Sequence, residues 1–396
     1  MSSKVVLSSL VERGLALTDC GKRKKVGVWL LGVTGMVGGM VHVGGMTRLT
    51  KSGLSMTDWK PLGSLPPLTL EEWQTEFARY QTFPEYQQRK GMTLNDFQYI
   101  YYWEWGHRMM GRVVGICFTT PWLYYTYKQY IPKSSQPTMA ALWCMGGTQG
   151  LVGWWMVQSG LTDDRYNDKK EIRVKPHRLA THLAMAFSTY SALLYTGLSF
   201  LYSDQHRQSL FDSLTKHTRS QLTKFRGATA ITTGLTGLTV VSGAFVAGND
   251  AGRAYNVFPH MMPDHQWLPD ELWNSNESTW YNLTENTAVV QLNHRILGMT
   301  TATASIALAT MSLRNRSILT PQARKGFLTL GGIAFTQASL GIITLINYVP
   351  IPLAALHQLG SLALVTSGMY TVHALRYAKR PTVQLLSKIP QAALKH

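Results

Sequence analysis

The 396-residue sequence predicts an all-α polytopic membrane protein, with eight transmembrane helices arranged as two parallel pseudo-symmetric four-helix bundles. Three observations predict this: long tracts free of charge, basic residues crowded into alternate loops, and a histidine-centred motif that recurs at a near-constant offset. Only 15% of residues are charged, against roughly 25% in ordinary soluble domains. The mean hydropathy of -0.06 looks polar for a membrane protein, but the average hides where the charges sit.

Segments 26–47, 134–162, 179–203 and 227–249 contain 22, 29, 25 and 23 residues without Asp, Glu, Lys or Arg. A bilayer core needs about 20 apolar residues as helix, so each is long enough to span. Segment 326–375 runs for 50 such residues, and Asn347, Pro350 and Pro352 divide it into two spans. Segments 113–127 and 296–313 are apolar with ionisable residues just upstream, and they complete the eight. The organisation that follows is a terminal segment 1–25, a first four-helix half 26–203, a linker 204–227, a second half 228–375 and a tail 376–396.

Alternating the loops across the membrane places 22 Lys/Arg and 4 Asp/Glu on the side of the N-terminus, against 12 and 16 on the other. This is the positive-inside pattern, and it puts both termini on the cytoplasmic or matrix side. Lys22–Lys25 then reads as a topology anchor before the first span. The net charge of +17 is explained by topology, so nucleic acid is not an expected partner. Glu12 and Asp19 make the first 25 residues acidic for a mitochondrial presequence. Cys20, Cys117 and Cys144 are scattered and suggest neither a zinc site nor a disulfide framework. Asn276 and Asn282 begin glycosylation-type triplets, a short pattern that is common by chance.

The halves resemble each other. Glu104-x-x-His107-Arg108-x-x-Gly111 aligns with Gln291-x-x-His294-Arg295-x-x-Gly298, while Thr148-Gln149 and Gly153 align with Thr336-Gln337 and Gly341. Ser52-Gly53 and Trp59 have weaker counterparts in Ala251-Gly252 and Phe258. Four helices per unit start both repeats on the same side, which makes them parallel.

Of twelve histidines, four form a pattern: His107, His182, His294 and His357 lie early in the even-numbered helices, all on one side. Ionisable residues inside a membrane are costly and usually functional. Imidazole is a common axial ligand of haem iron, and two histidines per half suit one bis-His haem in each. Helix-packing histidines are the plainer alternative. Arg108 and Arg295 follow their histidines and could hold haem propionates bidentately, with Arg48, Arg112 and Arg178 nearby as further candidates. Glu104 breaks the symmetry, because its counterpart Gln291 keeps the shape without the ionisable group. A carboxylate on the same helix face as His107 can exchange protons with a bound substrate, which points chemistry to the first half. Pairing with Arg108 or Arg112 is its structural alternative.

These residues carry a resemblance. Segments GGMTRLTKSGLSMTDWKP (44–61), YYWEWGHRMMGR (101–112), QSGL (158–161), HRLATHL (177–183), GNDAGRAYNVFP (248–259), QLNHRILG (291–298) and ALHQ (355–358) resemble the haem A synthase family, particularly its mitochondrial and alphaproteobacterial branch. The resemblance implies oxidation of a methyl substituent of haem O to the formyl group of haem A, for cytochrome c oxidase assembly. It implies that His107 and His182 flank the substrate in the first half, that His294 and His357 ligate a haem b cofactor in the second, and that Glu104 is an essential carboxylate. Some bacterial members carry cysteine pairs in their outer loops, and this sequence has none there. The resemblance further implies the mitochondrial inner membrane, termini in the matrix, haem sites toward the intermembrane space and a ferredoxin-type electron donor. Haem O synthase, oxidase assembly factors and a second copy of the chain are further partners it admits. The rival readings are a dihaem b-type electron-transfer cytochrome without chemistry of its own, and a transporter built from parallel repeats.

Overall fold

Helix caps written into the sequence decide where the long elements begin. The computed structural model describes residues 3–56, 58–60, 62–161, 172–202, 204–263 and 265–379. Among them eight helices reach 23 residues or more: α1 (Ser3–Leu49), α2 (Leu94–Tyr127), α3 (Gln136–Gln158), α4 (Pro176–Leu201), α5 (Lys216–Gly248), α6 (Thr287–Arg314), α7 (Pro321–Ile346) and α8 (Ile351–Ala374). No strand occurs among the described residues. Thr93 and Asp96 form a reciprocal capping box that starts α2, and Asn286 accepts from the backbone N–H groups of Ala288 and Val289 to start α6. Prolines occupy the first turn of α4, α7 and α8, where the missing N–H costs nothing. α1 and α5 stop at corresponding points: Lys51 (φ 54°) and Asp250 (φ 49°) turn left-handed just past their ends.

Five of these helices are long and apolar enough to cross a membrane: Cys20–Leu49 of α1, then α5, α6, α7, and Ile351–Ala378, which contains α8. The other three are of similar length but more polar. α2 carries Glu104, Arg108 and Arg112, while α3 and α4 are rich in Trp, Gly, Gln, Ser, Thr and His. Absence of charge and high hydropathy are different criteria, and the eight charge-free or apolar tracts meet the first better than the second.

α1 packs on α2 and α4, and α3 on α4, with a thinner α2–α3 seam closing the ring. α5 packs on α6 and α8, and α7 on both α6 and α8, with broad seams throughout. The two rings meet where α4 lies against α5 and α8, and α1 against α8. Val41, Phe187, Val240 and Val365, one from each of these four helices, make a shared apolar core there. Tyr190 Oη lies 2.7 Å from Thr366 Oγ1 across the same junction, and Gln358 Nε2 donates to Val41 O at 2.9 Å.

The loop between α1 and α2 carries structure that charge patterning did not reveal. Thr69 and Glu72 cap a helix over Leu70–Tyr80, followed by a short turn of helix over Pro84–Gln87. Trp73 and Tyr80 from this loop bury with Met56, Phe97, Ile100 and Tyr101. Each large side chain so buried contributes roughly 1.5–3 kcal/mol. This cluster explains why α2 begins at Leu94, well before its apolar tract: the aromatic cap gives the extra turns something to pack on. Most of the charged segment 163–175 and nearly all of the tail 376–396 lie outside the described residues. Asn282 is fully buried, with its amide donating to Asn274 O at 2.8 Å, so it is not presented as a glycan acceptor.

Candidate functional site

The early positions of the even helices bring the four histidines to one end of the molecule. His182, His294 and His357 lie about two turns into α4, α6 and α8, whereas His107 lies about four turns into the extended α2. Every one of them rests on a glycine of the preceding helix. A Cβ at Gly44 would sit 2.8 Å from His107 Cε1, and one at Gly153 would sit 3.0 Å from that of His182. The corresponding distances are 3.1 Å for Gly243 and His294, and 2.8 Å for Gly341 and His357. All are inside van der Waals contact, so glycine is what lets the Cε1 edge of each ring come this close to the helix backbone.

His294 and His357 face each other with ring centres 6.5 Å apart and planes at 88°. Two imidazoles sharing one metal through bonds of about 2 Å have centres roughly 6 Å apart, and this pair stands near that separation. Ser242 Oγ lies 2.8 Å from His294 Nδ1, which leaves Nε2 as the ring nitrogen without that bond. His357 Nδ1 and His107 Nδ1 are buried without hydrogen-bond partners. His107 and His182 lie within electrostatic reach of each other. Among the described residues no group of three or more His, Cys, Asp or Glu is placed to hold a metal ion.

Glutamines support the second histidine of each half. Gln149 Nε2 donates to His182 O at 3.0 Å, and Gln337 Nε2 donates to His357 O at 2.9 Å. Gln149 also approaches the His182 ring, 3.2 Å from Nδ1, whereas His357 Nδ1 has no such neighbour.

The arginines are engaged by protein. Arg108 donates to Met56 O at 2.6 Å and Asp58 O at 2.8 Å, and Arg295 to Tyr255 O at 2.7 Å and His260 O at 2.8 Å. Each therefore ties its helix to the loop leaving the preceding helix, at matching places in the two halves. Arg112 donates to Arg108 O and Lys60 O, and Arg178 to Trp155 O. Arg48 crosses between the halves, donating to Ala247 O at 2.6 Å and pairing with Asp250 at 3.4 Å. Arg173 meets the same Asp250 at 2.5 Å.

Glu104 is buried and fully engaged. Oε1 accepts from Arg108 at 2.6 Å, and Oε2 accepts from the Ser55 hydroxyl at 2.7 Å and from Met56 N at 2.8 Å. Gln291 is equally buried, and its Nε2 has no hydrogen-bond partner. Ser55, Ser242, the two glutamines and the glycine cradles are the site residues that sequence reasoning did not assign to the histidines. The recurrence of Thr-Gln and Gly at 148–153 and 336–341 was the available signal.

The COX15-CtaA family profile, described as cytochrome oxidase assembly protein, matches residues 27–369. The chain belongs to this family. It is 41% identical to the Heme A synthase COX15 of Arabidopsis thaliana, across 99% of this chain and 84% of that protein. It is likewise 41% identical to the Heme A synthase of Rhodospirillum centenum, across 90% of each. A Heme A synthase-mitochondrial ferredoxin fusion protein of Schizosaccharomyces pombe is 38% identical, across 94% of this chain and 64% of the fusion. The matched span 27–369 includes every histidine, arginine and carboxylate of the site described above, so membership covers the functional end and not only the scaffold.

Proposed function

We propose that this chain is a haem A synthase that oxidises a methyl substituent of haem O to the formyl group of haem A, with the substrate in the first half and haem b in the second. Family membership and about 40% identity to named haem A synthases over nearly the whole chain support the activity. The division of labour rests on one observation above the others: the buried carboxylate Glu104 beside His107 has the amide of Gln291 as its counterpart beside His294.

His294 and His357 would hold haem b, which when bound supplies one-electron chemistry. Ser242 fixes the His294 ring by its Nδ1, and Gly243 and Gly341 set how closely the rings approach the helix backbones. In the first half, His107 and His182 would flank haem O. Glu104 holds or moves a proton at Oε2, in contact with the Ser55 hydroxyl. Arg108 balances the Glu104 charge at Oε1 and keeps the Ser55–Met56 turn closed over it. Glu104 is itself buried, and with substrate bound beside it this would help to exclude bulk water.

The same reading takes all eight long helices as spans, in two parallel four-helix units. The ring-like packing of each half, the paired histidine–glycine and glutamine–carbonyl contacts, and the matched arginine–loop bonds support it. It places the chain in the mitochondrial inner membrane with termini in the matrix and the histidine end toward the intermembrane space. The fused ferredoxin of the fission-yeast relative supports a ferredoxin as electron donor. The test is reconstitution of the purified chain in vesicles with haem O, a ferredoxin and its reductase. Haem A detected by mass supports the assignment. Turnover of the donor without any change in porphyrin mass would instead support an electron-transfer cytochrome.

A further inference from the structure

The first histidines of the two halves are oriented by different means. Ser242 on α5 lies 2.8 Å from His294 Nδ1, whereas the matching position on α1 is Val43 and His107 Nδ1 has no hydrogen-bond partner. What His107 has instead is the wall of α1, where its Cε1 edge lies against Gly44. How that turn of α1 is held therefore bears on where His107 stands.

The turn is held from the other half. Gln358 follows His357 on α8, and its Nε2 donates to Val41 O at 2.9 Å. Helix geometry directs the N–H of Gly45 to that same carbonyl, so the amide grips one turn of α1 from outside. A Cβ at Gly45 would overlap the Gln358 amide, so only glycine lets the side chain reach the helix here. One turn of α1 thus receives His107 of the first half on Gly44 and Gln358 of the second half on Gly45. Both α1 and α8 are long and apolar enough to span, and hydrogen bonds between such helices hold them together where no water competes.

The pseudo-symmetric place makes the opposite choice. Matching Gly44 to Gly243 and His182 to His357 pairs Val41 with Val240, Gly45 with Ala244, and Gln358 with Leu183. Leu183 packs against the shared cluster of Val41, Phe187, Val240 and Val365 and has no amide to offer. The half whose first histidine has a hydroxyl partner meets an apolar arm from its neighbour. The half that lacks one meets a hydrogen-bonding arm. Packing alone would be served by leucine in both places.

We propose that Gln358 is a positioning residue for the first-half site. By holding the Val41–Gly45 turn of α1 it sets the stance of His107 toward a porphyrin bound there, and so does from across the junction what Ser242 does directly for His294. The same side chain adjoins His357, so it links the histidine sites of the two halves. This rests on haem O occupying the first half.

The test titrates haem O into the full chain purified with haem b, and follows both its affinity and the electron paramagnetic resonance of the first-half iron. Gln358→Met keeps the length of the side chain and removes the donor. It should weaken haem O binding about tenfold and shift that resonance, with haem b content and the haem b resonance as in wild type. Gly45→Ala, which displaces the amide from the other side, should give the same loss. Val43→Ser supplies a hydroxyl where α5 has Ser242, and in the Gln358→Met background it should restore both readouts. Failure of that rescue in a folded Gln358→Met/Val43→Ser chain would overturn the proposal, because the loss would then be one of packing. Wild-type affinity and resonance in both Gln358→Met and Gly45→Ala would overturn it alone. A wild-type chain that takes up haem b and no haem O would overturn the first-half assignment and this inference with it.

Discussion

The two halves of the chain use the same parts to different ends. Each offers two histidines, each histidine leans on a glycine, and each second histidine has its carbonyl held by a glutamine amide. The first histidines differ most in their surroundings, and the second differ the other way, with Gln149 near the His182 ring where His357 Nδ1 has no partner. In the second half Ser242 holds His294 Nδ1, and the neighbouring Gln291 is uncharged. In the first half the corresponding helix position carries Val43, His107 Nδ1 has no partner, and Glu104 is locked to Ser55, Met56 and Arg108. The α6–α7 seam is broad where the α2–α3 seam is thin. A cofactor that stays wants a rigid, oriented ligand set and closed walls. A substrate that enters and leaves wants a looser cage and a group able to exchange protons. The halves differ in that direction.

The largest effect expected from breaking this contrast is at Glu104. Glu104→Gln makes the first half resemble the second, and haem A formation should fall by about 100-fold or more while haem b stays bound. Retained turnover would remove the carboxylate from the chemistry. The substitution should also loosen the Ser55–Met56 turn, since a buried ion pair that loses one partner costs about 3–5 kcal/mol. A thermal melt with haem b bound would separate that structural cost from lost activity.

Next in size is the cofactor pair. His357→Ala should strip haem b from the purified chain, read as loss of its Soret band, and leave the first half able to take up haem O. An unchanged spectrum would count against the second-half assignment. A smaller effect is expected at Ser242→Ala, which removes only the orienting bond to His294. Partners of metal-ligating histidines typically change affinity by 10–100-fold, so haem b should be retained at saturation and lost on dilution. The converse change, Val43→Ser, should sharpen the comparison by giving His107 the partner it lacks, and should slow release from the first half. The smallest effect is expected at Asp250→Asn. It weakens the Arg48 and Arg173 contacts that tie the halves together, and a modest fall in melting temperature with normal haem content is the outcome to look for.

Much of this was legible in the sequence, for physical reasons that can be named. Charge is expensive in lipid, so charge-free or apolar tracts marked the long helices; His182 and His357 stood out inside two of them, and His107 and His294 just ahead of two others. The repeat showed through recurring pairs, His-Arg and Thr-Gln, whose arginines and glutamines hold backbone carbonyls at matching places in the two halves. The aromatic-capped helix Leu70–Tyr80 was not legible, because its burial is against α2 and leaves only scattered aromatics in a polar loop. Nor were the roles of Arg108 and Arg295: they grip backbone carbonyls, and a carbonyl acceptor carries no side-chain signature. The partners of Glu104 divide similarly. Arg108, four residues on, was foreseeable from helix spacing, whereas Ser55 and Met56 N are brought in only by the fold.

The central claim is that the second half keeps haem b while the first handles haem O. It is tested most directly by extracting and weighing the porphyrins bound to two variants, His182→Ala and His294→Ala, purified with haem O available. The account predicts haem b without haem O or haem A from the first variant, and haem O without haem b from the second. Loss of haem b from His182→Ala with its retention in His294→Ala would contradict it.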